Sequence, residues 1–148
     1  MGAGRGVGVA ERMRALGVDV GTVRVGVALS DPSGTVASPY QTLPAGDDLV
    51  DRLVALVAET ACETVVVGLP RGMSGRDTAS TQMAREVANQ LTQRGLTVDL
   101  WDERLSSAEA ERVLLDAGRR REQRRTERDR VAAAIILQGW LDAHPGGR

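Results

Sequence analysis

Short apolar runs rich in valine open the chain, and longer segments with helical spacing follow them. The first runs predict three strands, at 15–20, 23–30 and 35–43, joined by turns that contain glycine, serine and aspartate. Pro39 interrupts the third run, which indicates a strand at the edge of a sheet or one that carries a bulge. The pattern therefore predicts three antiparallel strands in series at the start of the fold.

Four segments with helical spacing come next, bounded by residues that favour helix ends. The last is expected to begin near Glu127, because 119–126 contains no apolar residue and is typical of a mobile loop or a frayed helix. The expected helices run from the cap Asp47 to about 61, from the cap Thr78 to about 94, from Ser106 or Ser107 to 118, and from about 127 to 143.

Two further apolar runs, 64–69 and 96–101, lie between these helices and are typical of strands covered on both faces. Three antiparallel strands followed by crossover helices predict an α/β fold, with a mixed five-stranded sheet and helices on both faces. Residues 14–143 are expected to form a single domain, between a flexible tail at 1–13 and a short tail at 144–148.

Composition narrows the possible chemistry. No apolar run approaches the roughly 20 residues that span a bilayer, and residues 1–14 lack the apolar segment of a signal peptide, so no membrane partner is expected. Cys62 is the only cysteine, which favours a cytoplasmic protein and a structural role for that thiol. His144 lies in the tail, where nothing is expected to fix its position, and the chain has no lysine and hence no P-loop. Carboxylates remain the best catalytic candidates.

The candidate carboxylates fall where mixed α/β sheets place their sites. Asp19 lies near the end of the first strand, and Asp102 and Glu103 follow the last strand, at strand ends that usually form a crevice. Asp129 shares a helical face with the apolar residues of the last helix, so it is expected to point toward the sheet. Turn chemistry at Asp19 and a favourable helix-dipole position for Asp129 are the alternative interpretations.

Two or three converging carboxylates without an ordered histidine suit a hard divalent cation, Mg²⁺ or Mn²⁺. Paired ions of this kind bracket the attacking and leaving oxygens of a phosphodiester. The net charge is −1, but arginines are concentrated just before the last helix, where they could hold a phosphate backbone; a solvated charged loop is the alternative. These arginines are Arg119, Arg120, Arg121, Arg124, Arg125 and Arg128, with Arg130 beyond them.

Four segments, in this order along the chain, resemble the motifs of a known family: 16–31 (LGVDVGTVRVGVALSD), 66–70 with Met73 and Gly75, 102–110 (DERLSSAEA) and 129–138 (DRVAAAIILQ). Together they resemble the YqgF family of Holliday-junction-resolvase-like proteins, whose members are regarded as nucleases of pre-16S rRNA. The resemblance implies an RNase H-like, RuvC-like nuclease domain over 14–143. It also implies metal-dependent phosphodiester hydrolysis in 5′-end processing of pre-16S rRNA during ribosome biogenesis.

The resemblance implies that Asp19 and Asp129 are catalytic metal ligands. In RuvC-like resolvases a third acid ends the fourth strand, where this chain has Gly68. Proteins similar to this one use the acid after the fifth strand, Asp102 or Glu103. Glu103 is favoured because neighbours along a strand point to opposite faces and only one can face the metals. The implied partner is structured RNA or branched DNA, bound by a monomer or a homodimer.

Two other functions are compatible with the sequence. The absence of an acid at the end of the fourth strand would suit a nucleic-acid-binding maturation factor with little or no catalysis. The segment 19–22 could instead be the phosphate loop of an actin-like or sugar-kinase-like ATPase. Such proteins close two domains around a nucleotide, and 148 residues accommodate only one.

Overall fold

The structure, a computed structural model, describes residues 14–70, 77–103 and 121–145, and in the stretch 121–128 only the backbone. The helix expected at 107–118, the predicted tail 1–13 and the motif residues Met73 and Gly75 lie outside these ranges. The elements are β1 (Ala15–Val20), β2 (Arg24–Ser30), β3 (Ala37–Pro44), α1 (Leu49–Thr60), β4 (Thr64–Leu69), α2 (Ala79–Gln93), β5 (Thr97–Asp102) and α3 (Arg121–Ala143).

The five strands form one sheet in the order β3-β2-β1-β4-β5. The pairs β1–β2 and β2–β3 are antiparallel, whereas β1–β4 and β4–β5 are parallel. The mixed five-stranded sheet predicted from the sequence is therefore confirmed. Strand β1 lies at its centre, hydrogen-bonded to one antiparallel and one parallel neighbour, and this is the strand that carries Asp19.

Strand β3 is an edge strand and also carries a bulge, as the proline predicted. Val27 pairs with Gln41 and Ala28 with Pro39, so Tyr40 has no partner in the ladder. Pro39 lacks an N–H and can be accommodated where the ladder is irregular.

Strand β5 is the other edge of the sheet. All residues of β4 after its first are buried, as expected for a strand covered on both faces. No residue of β5 is fully buried, so the same expectation for β5 is wrong. The reason is its place in the sheet: within the described residues β5 pairs only with β4, and its other side stays open.

Two apolar clusters lie on the two faces of the sheet. One joins Leu16 and Val18 of β1 to side chains of α1 and α2. The other joins Val66 of β4 to the apolar residues of α3. Side chains alternate between the faces of a strand, so Asp19 belongs to the face that α3 covers. In the described ranges, no helix has both the length and the apolar character needed to cross a membrane.

The helix caps agree with the sequence at α2 and differ at α1. Thr78 and Thr81 form a capping box, in which each side-chain oxygen accepts the other residue's backbone N–H at 3.3 and 2.9 Å. At α1 the N-cap position is taken by Asp48, so the expectation of Asp47 is wrong. The Asp48 carboxylate makes no capping bond; it accepts a 2.7 Å hydrogen bond from Arg52 Nε, one helical turn on.

Helix α3 already includes Arg121, so the expected start near Glu127 is wrong. The segment 121–128 lacks apolar periodicity, but it contains no glycine or proline and is rich in arginine, glutamate and glutamine, which are good helix formers. The longer helix places Asp129 beyond its first turn.

His144 is fixed by contacts, contrary to the expectation for a tail residue. Its ring stacks on Trp140 with centroids 4.5 Å apart, and its Nδ1 lies 2.8 Å from the Trp140 carbonyl oxygen. Fourteen residues separate Asp129 from the end of α3, which at 1.5 Å each is about 20 Å along the helix axis. His144 is thus remote from Asp129.

Cys62 lies just after α1, where its sulfur is 3.1 Å from Thr60 Oγ1 and packs beside the core. Burial raises the pKa of the Cys62 thiol, which keeps it protonated at neutral pH. A protonated, partly buried thiol agrees with the structural role predicted for it.

Replacing Thr78 by alanine removes one side chain of the capping box and should lower the free energy of unfolding by about 1 kcal/mol. Urea denaturation followed by circular dichroism measures the change. Ser80→Ala is the matched control, because Ser80 is exposed in the same first turn and caps nothing. Equal stability of the two variants would contradict the importance of this cap.

Candidate active site

Asp19 lies inside the β1–β2 ladder, directly opposite Gly26, and its side chain is 6% exposed. Opposed residues of antiparallel strands share a face, so Asp19 and Gly26 both face α3. The turn begins only after Val20, which places Asp19 in the body of the strand rather than in turn chemistry. A carboxylate at this depth is costly unless it is paired, hydrogen-bonded or bound to a cation.

Asp129 lies where α3 crosses β2. A Cβ atom built on Gly26 would overlap the carbonyl oxygen of Asp129, so the helix backbone rests directly on the strand. Because Asp19 stands opposite Gly26, the two acids border the same glycine. The helix-dipole interpretation of Asp129 loses its basis, since the dipole effect is confined to the first turn of a helix.

The Asp129 carboxylate is bound by Arg24, the first residue of β2. Arg24 Nε donates to Asp129 Oδ2 at 2.9 Å, and the two side chains are 29% and 15% exposed. Arg24 was not among the site residues predicted from the sequence. The available signal was a charged residue that opens an otherwise apolar strand, inside the first of the four motif segments.

Glu103 follows β5 directly and is 4% exposed. A Cβ built on Gly68 would lie 3.2 Å from Glu103 Oε2 and 2.6 Å from Ile136 Cδ1, so this carboxylate shares the space above Gly68 with Ile136. Val18 and Val67 form the last pair of the parallel β1–β4 register, and Asp19 and Gly68 are each the next residue along. The acid from the end of β5 thus fills the position at the end of β4 where the chain has no carboxylate of its own.

Asp102 and Glu103 belong to opposite faces of the sheet. Asp102 pairs with Leu69, which belongs to the cluster under α1 and α2. Trp101 packs in the cluster under α3, and Glu103, two residues on, returns to that same face. The structure therefore puts Glu103, rather than Asp102, on the face of Asp19.

The three candidate acids, Asp19, Glu103 and Asp129, lie at the same end of one sheet face. Their side chains are not grouped closely enough to form a metal-binding cluster. Among residues 14–70, 77–103 and 121–145, no three acidic, histidine or cysteine side chains are grouped closely enough to hold a metal ion. Carboxylate oxygens are the donors that Mg²⁺ and Mn²⁺ take, so the donor chemistry of Asp19 and Glu103 fits such an ion. Asp129 Oδ2 accepts from Arg24, so the other oxygen of this carboxylate would have to serve the ion.

The side chains of the predicted phosphate-binding arginines lie outside what the structure describes. Residues 119 and 120 are not described, and within 121–128 only the helical backbone is. Their role in binding nucleic acid stays a prediction for Arg119, Arg120, Arg121, Arg124, Arg125 and Arg128.

The sheet order, the helices on both faces and the buried acids define an α/β fold of the RuvC type. RuvC of Thermus thermophilus, solved in complex with a Holliday junction substrate, matches with a TM-score of 0.57 over 91% of this chain and 98% of that one. The two sequences are 12% identical, so this likeness shows the fold alone. The RNase H-like expectation is confirmed.

The model of a family described as RuvX, Holliday junction resolvase, matches residues 13–143, and the chain belongs to this family, also called YqgF. A protein of Lactococcus lactis subsp. cremoris named "Putative pre-16S rRNA nuclease" is 44% identical over 136 residues, covering 88% of this chain and 95% of the relative. One of the same name in Mycolicibacterium smegmatis is 48% identical, covering 88% and 81%. The family resemblance seen in the sequence is confirmed.

Gly26→Ala should displace α3 from β2 and lower the free energy of unfolding by about 1–3 kcal/mol, the usual cost of overpacking. The same shift should separate Asp129 from Arg24 and Asp19. Urea denaturation measures the first effect. Gly46→Ala is the control, because a Cβ there meets nothing closer than a side-chain oxygen at 3.5 Å. If both variants are as stable as the wild type, α3 does not depend on this contact.

Proposed function

We propose that this protein is a divalent-metal-dependent endonuclease that hydrolyses phosphodiester bonds in structured RNA, with the 5′ end of pre-16S rRNA as its substrate. The observation that carries the proposal is the Glu103 carboxylate above Gly68, on the face and at the end of the sheet where Asp19 lies. Membership of the RuvX family and the names of its relatives support the substrate class. A cytoplasmic location follows from that substrate.

Asp19 and Glu103 would hold the cation, and Asp129 would join them through the carboxylate oxygen that does not accept from Arg24. When bound, Mg²⁺ or Mn²⁺ supplies an activated water and neutralises charge on the leaving oxygen. The ladder of β1 fixes Asp19, and packing above Gly68 orients Glu103. Because both carboxylates are buried, little water screens them, and their charges act more strongly than they would at the surface.

A second candidate is a nucleic-acid-binding maturation factor with little catalysis. The ion pair between Arg24 and Asp129 favours it, since a carboxylate beside a guanidinium group binds a metal ion more weakly. Branched DNA is the alternative substrate of the catalytic proposal, in line with the description of the family as Holliday junction resolvases. Cleavage and binding assays with RNA and with a DNA junction separate these functions.

The purified protein with Mn²⁺ is expected to cut a pre-16S rRNA fragment, and Asp19→Asn should slow cleavage about 100-fold or more, the scale of losing one charge-stabilising group. Gel analysis of end-labelled RNA measures the rate, with a four-way DNA junction as parallel substrate. Glu59→Gln is the control, because Glu59 is exposed near the end of α1, beside the start of β1 rather than the end that carries Asp19. Equal rates for Asp19→Asn and wild type would refute the assignment; wild-type binding without cleavage would favour the maturation factor.

The two acids at the end of β5 should differ sharply when each is made neutral. Glu103→Gln is expected to lose cleavage on the scale of Asp19→Asn, whereas Asp102→Asn should keep most of it, because Asp102 belongs to the opposite face. The same cleavage assay with Mn²⁺ decides this. The reverse order of the two variants would show that the assignment of Glu103 is wrong.

A further inference from the structure

We propose that Arg24 serves the site in two ways: its Nε positions Asp129, and its two terminal amino groups bind a phosphate of the nucleic acid. This inference rests on the proposed function and names a residue that binds the substrate there. Arg24 and Asp129 lie 105 positions apart in the sequence, so their hydrogen bond joins the two ends of the domain.

The local backbone brings Arg24 to the acids. The β1–β2 turn is tight: a Cβ built on Gly21 would lie 2.5 Å from the Arg24 carbonyl oxygen. The ladder pairs Val20 with Val25, so Arg24 stands just past the end of β1. That is the end of the strand at which Asp19 lies.

The Arg24–Asp129 pair differs from the other arginine–aspartate pairs of the described residues. Those pairs lie on the surface, with arginine side chains 39–49% exposed, whereas Arg24 is 29% exposed and its partner 15%. A surface pair of that kind contributes little. A partly buried pair at the site holds the Asp129 carboxylate in one place.

The guanidinium group of Arg24 has N–H donors left for a second partner. Arginine carries five N–H donors in a planar fork, and among the described residues Arg24 uses only Nε, toward Asp129. Its terminal amino groups can therefore meet phosphate oxygens, with which guanidinium groups pair through two parallel hydrogen bonds.

Charge gives a reason for a cation at this place. Asp19, Glu103 and Asp129 make this end of the face acidic, and three carboxylates repel a phosphodiester. A cation fixed beside them offsets that repulsion and attracts the substrate. Among the described side chains, Arg24 is the arginine that contacts one of these acids.

The test measures RNA binding without metal and cleavage with it. In EDTA, the affinity for a pre-16S rRNA fragment is followed across a salt series. Arg24→Gln should weaken binding severalfold and reduce the slope of log K against log salt by about 0.7, the contribution of one phosphate contact in single-stranded nucleic acid. Arg24→Lys keeps the charge and should keep the slope.

With Mn²⁺ present, the two variants should separate KM from kcat. Arg24→Lys should leave KM near the wild-type value and lower kcat about tenfold or more, because one ammonium group cannot replace a fork that binds two partners. Arg24→Gln should raise KM as well. Arg94→Gln is the matched control, since it removes an exposed arginine–aspartate pair elsewhere, and it should leave kcat and KM unchanged.

An unchanged salt slope in Arg24→Gln, or an equal loss of slope in Arg94→Gln, would overturn the proposed phosphate contact. An unchanged kcat in Arg24→Lys would overturn the positioning of Asp129. If Arg24→Gln does not fold, the Arg24→Lys protein still tests that positioning, and Arg24→Met at the same salt series tests the contact. A wild type that binds RNA in EDTA but cuts nothing with Mn²⁺ rejects the nuclease while the salt slopes still decide the role of Arg24.

Discussion

The close approach of α3 to the central strands is the constraint on which the rest of the structure depends. The helix backbone rests on β2 at Gly26, and a Cβ on Gly17 of β1 would lie only 2.7 Å from Leu137 Cβ. Two adjacent strands thus leave out side chains so that one helix can come near. Asp129 gains its position from this contact, because it is the residue whose carbonyl meets Gly26. The distance between the acids on the helix and on the sheet is therefore set by glycines rather than by the acids themselves.

The local sequence pattern predicted the strands and helices well where neighbouring residues in the sequence determine the secondary structure. The bounds of β1 and β4 match the expected ones because each is an apolar run bounded by turn residues. Strand β5 was expected to be buried like β4, but its sequence TVDLWD carries two aspartates, and its exposure also depends on the order of strands in the sheet, which is a long-range property. The start of α3 was missed because apolar periodicity is absent in 121–128, where intrinsic propensity alone favours the helix.

The candidate site shows the same contrast between local features, which the sequence reveals, and long-range contacts, which it does not. Asp19 was recognisable as an acid within an apolar strand, and strand alternation predicted that only one of Asp102 and Glu103 can share its face. The partner of Asp129 was not recognisable, since no local window connects Arg24 with a residue 105 positions away. Nor could spacing reveal that an acid from one strand lies above the glycine of the next, because that depends on the β4–β5 register.

Glu103 stands at the end of an edge strand, and this has a consequence for how the protein can fluctuate. A strand held on one side opens at a smaller free-energy cost than a central one. If the end of β5 separates from β4, the Glu103 carboxylate leaves the space above Gly68, while the two apolar clusters around β1 stay packed. Local opening of this kind moves the acid without unfolding the domain.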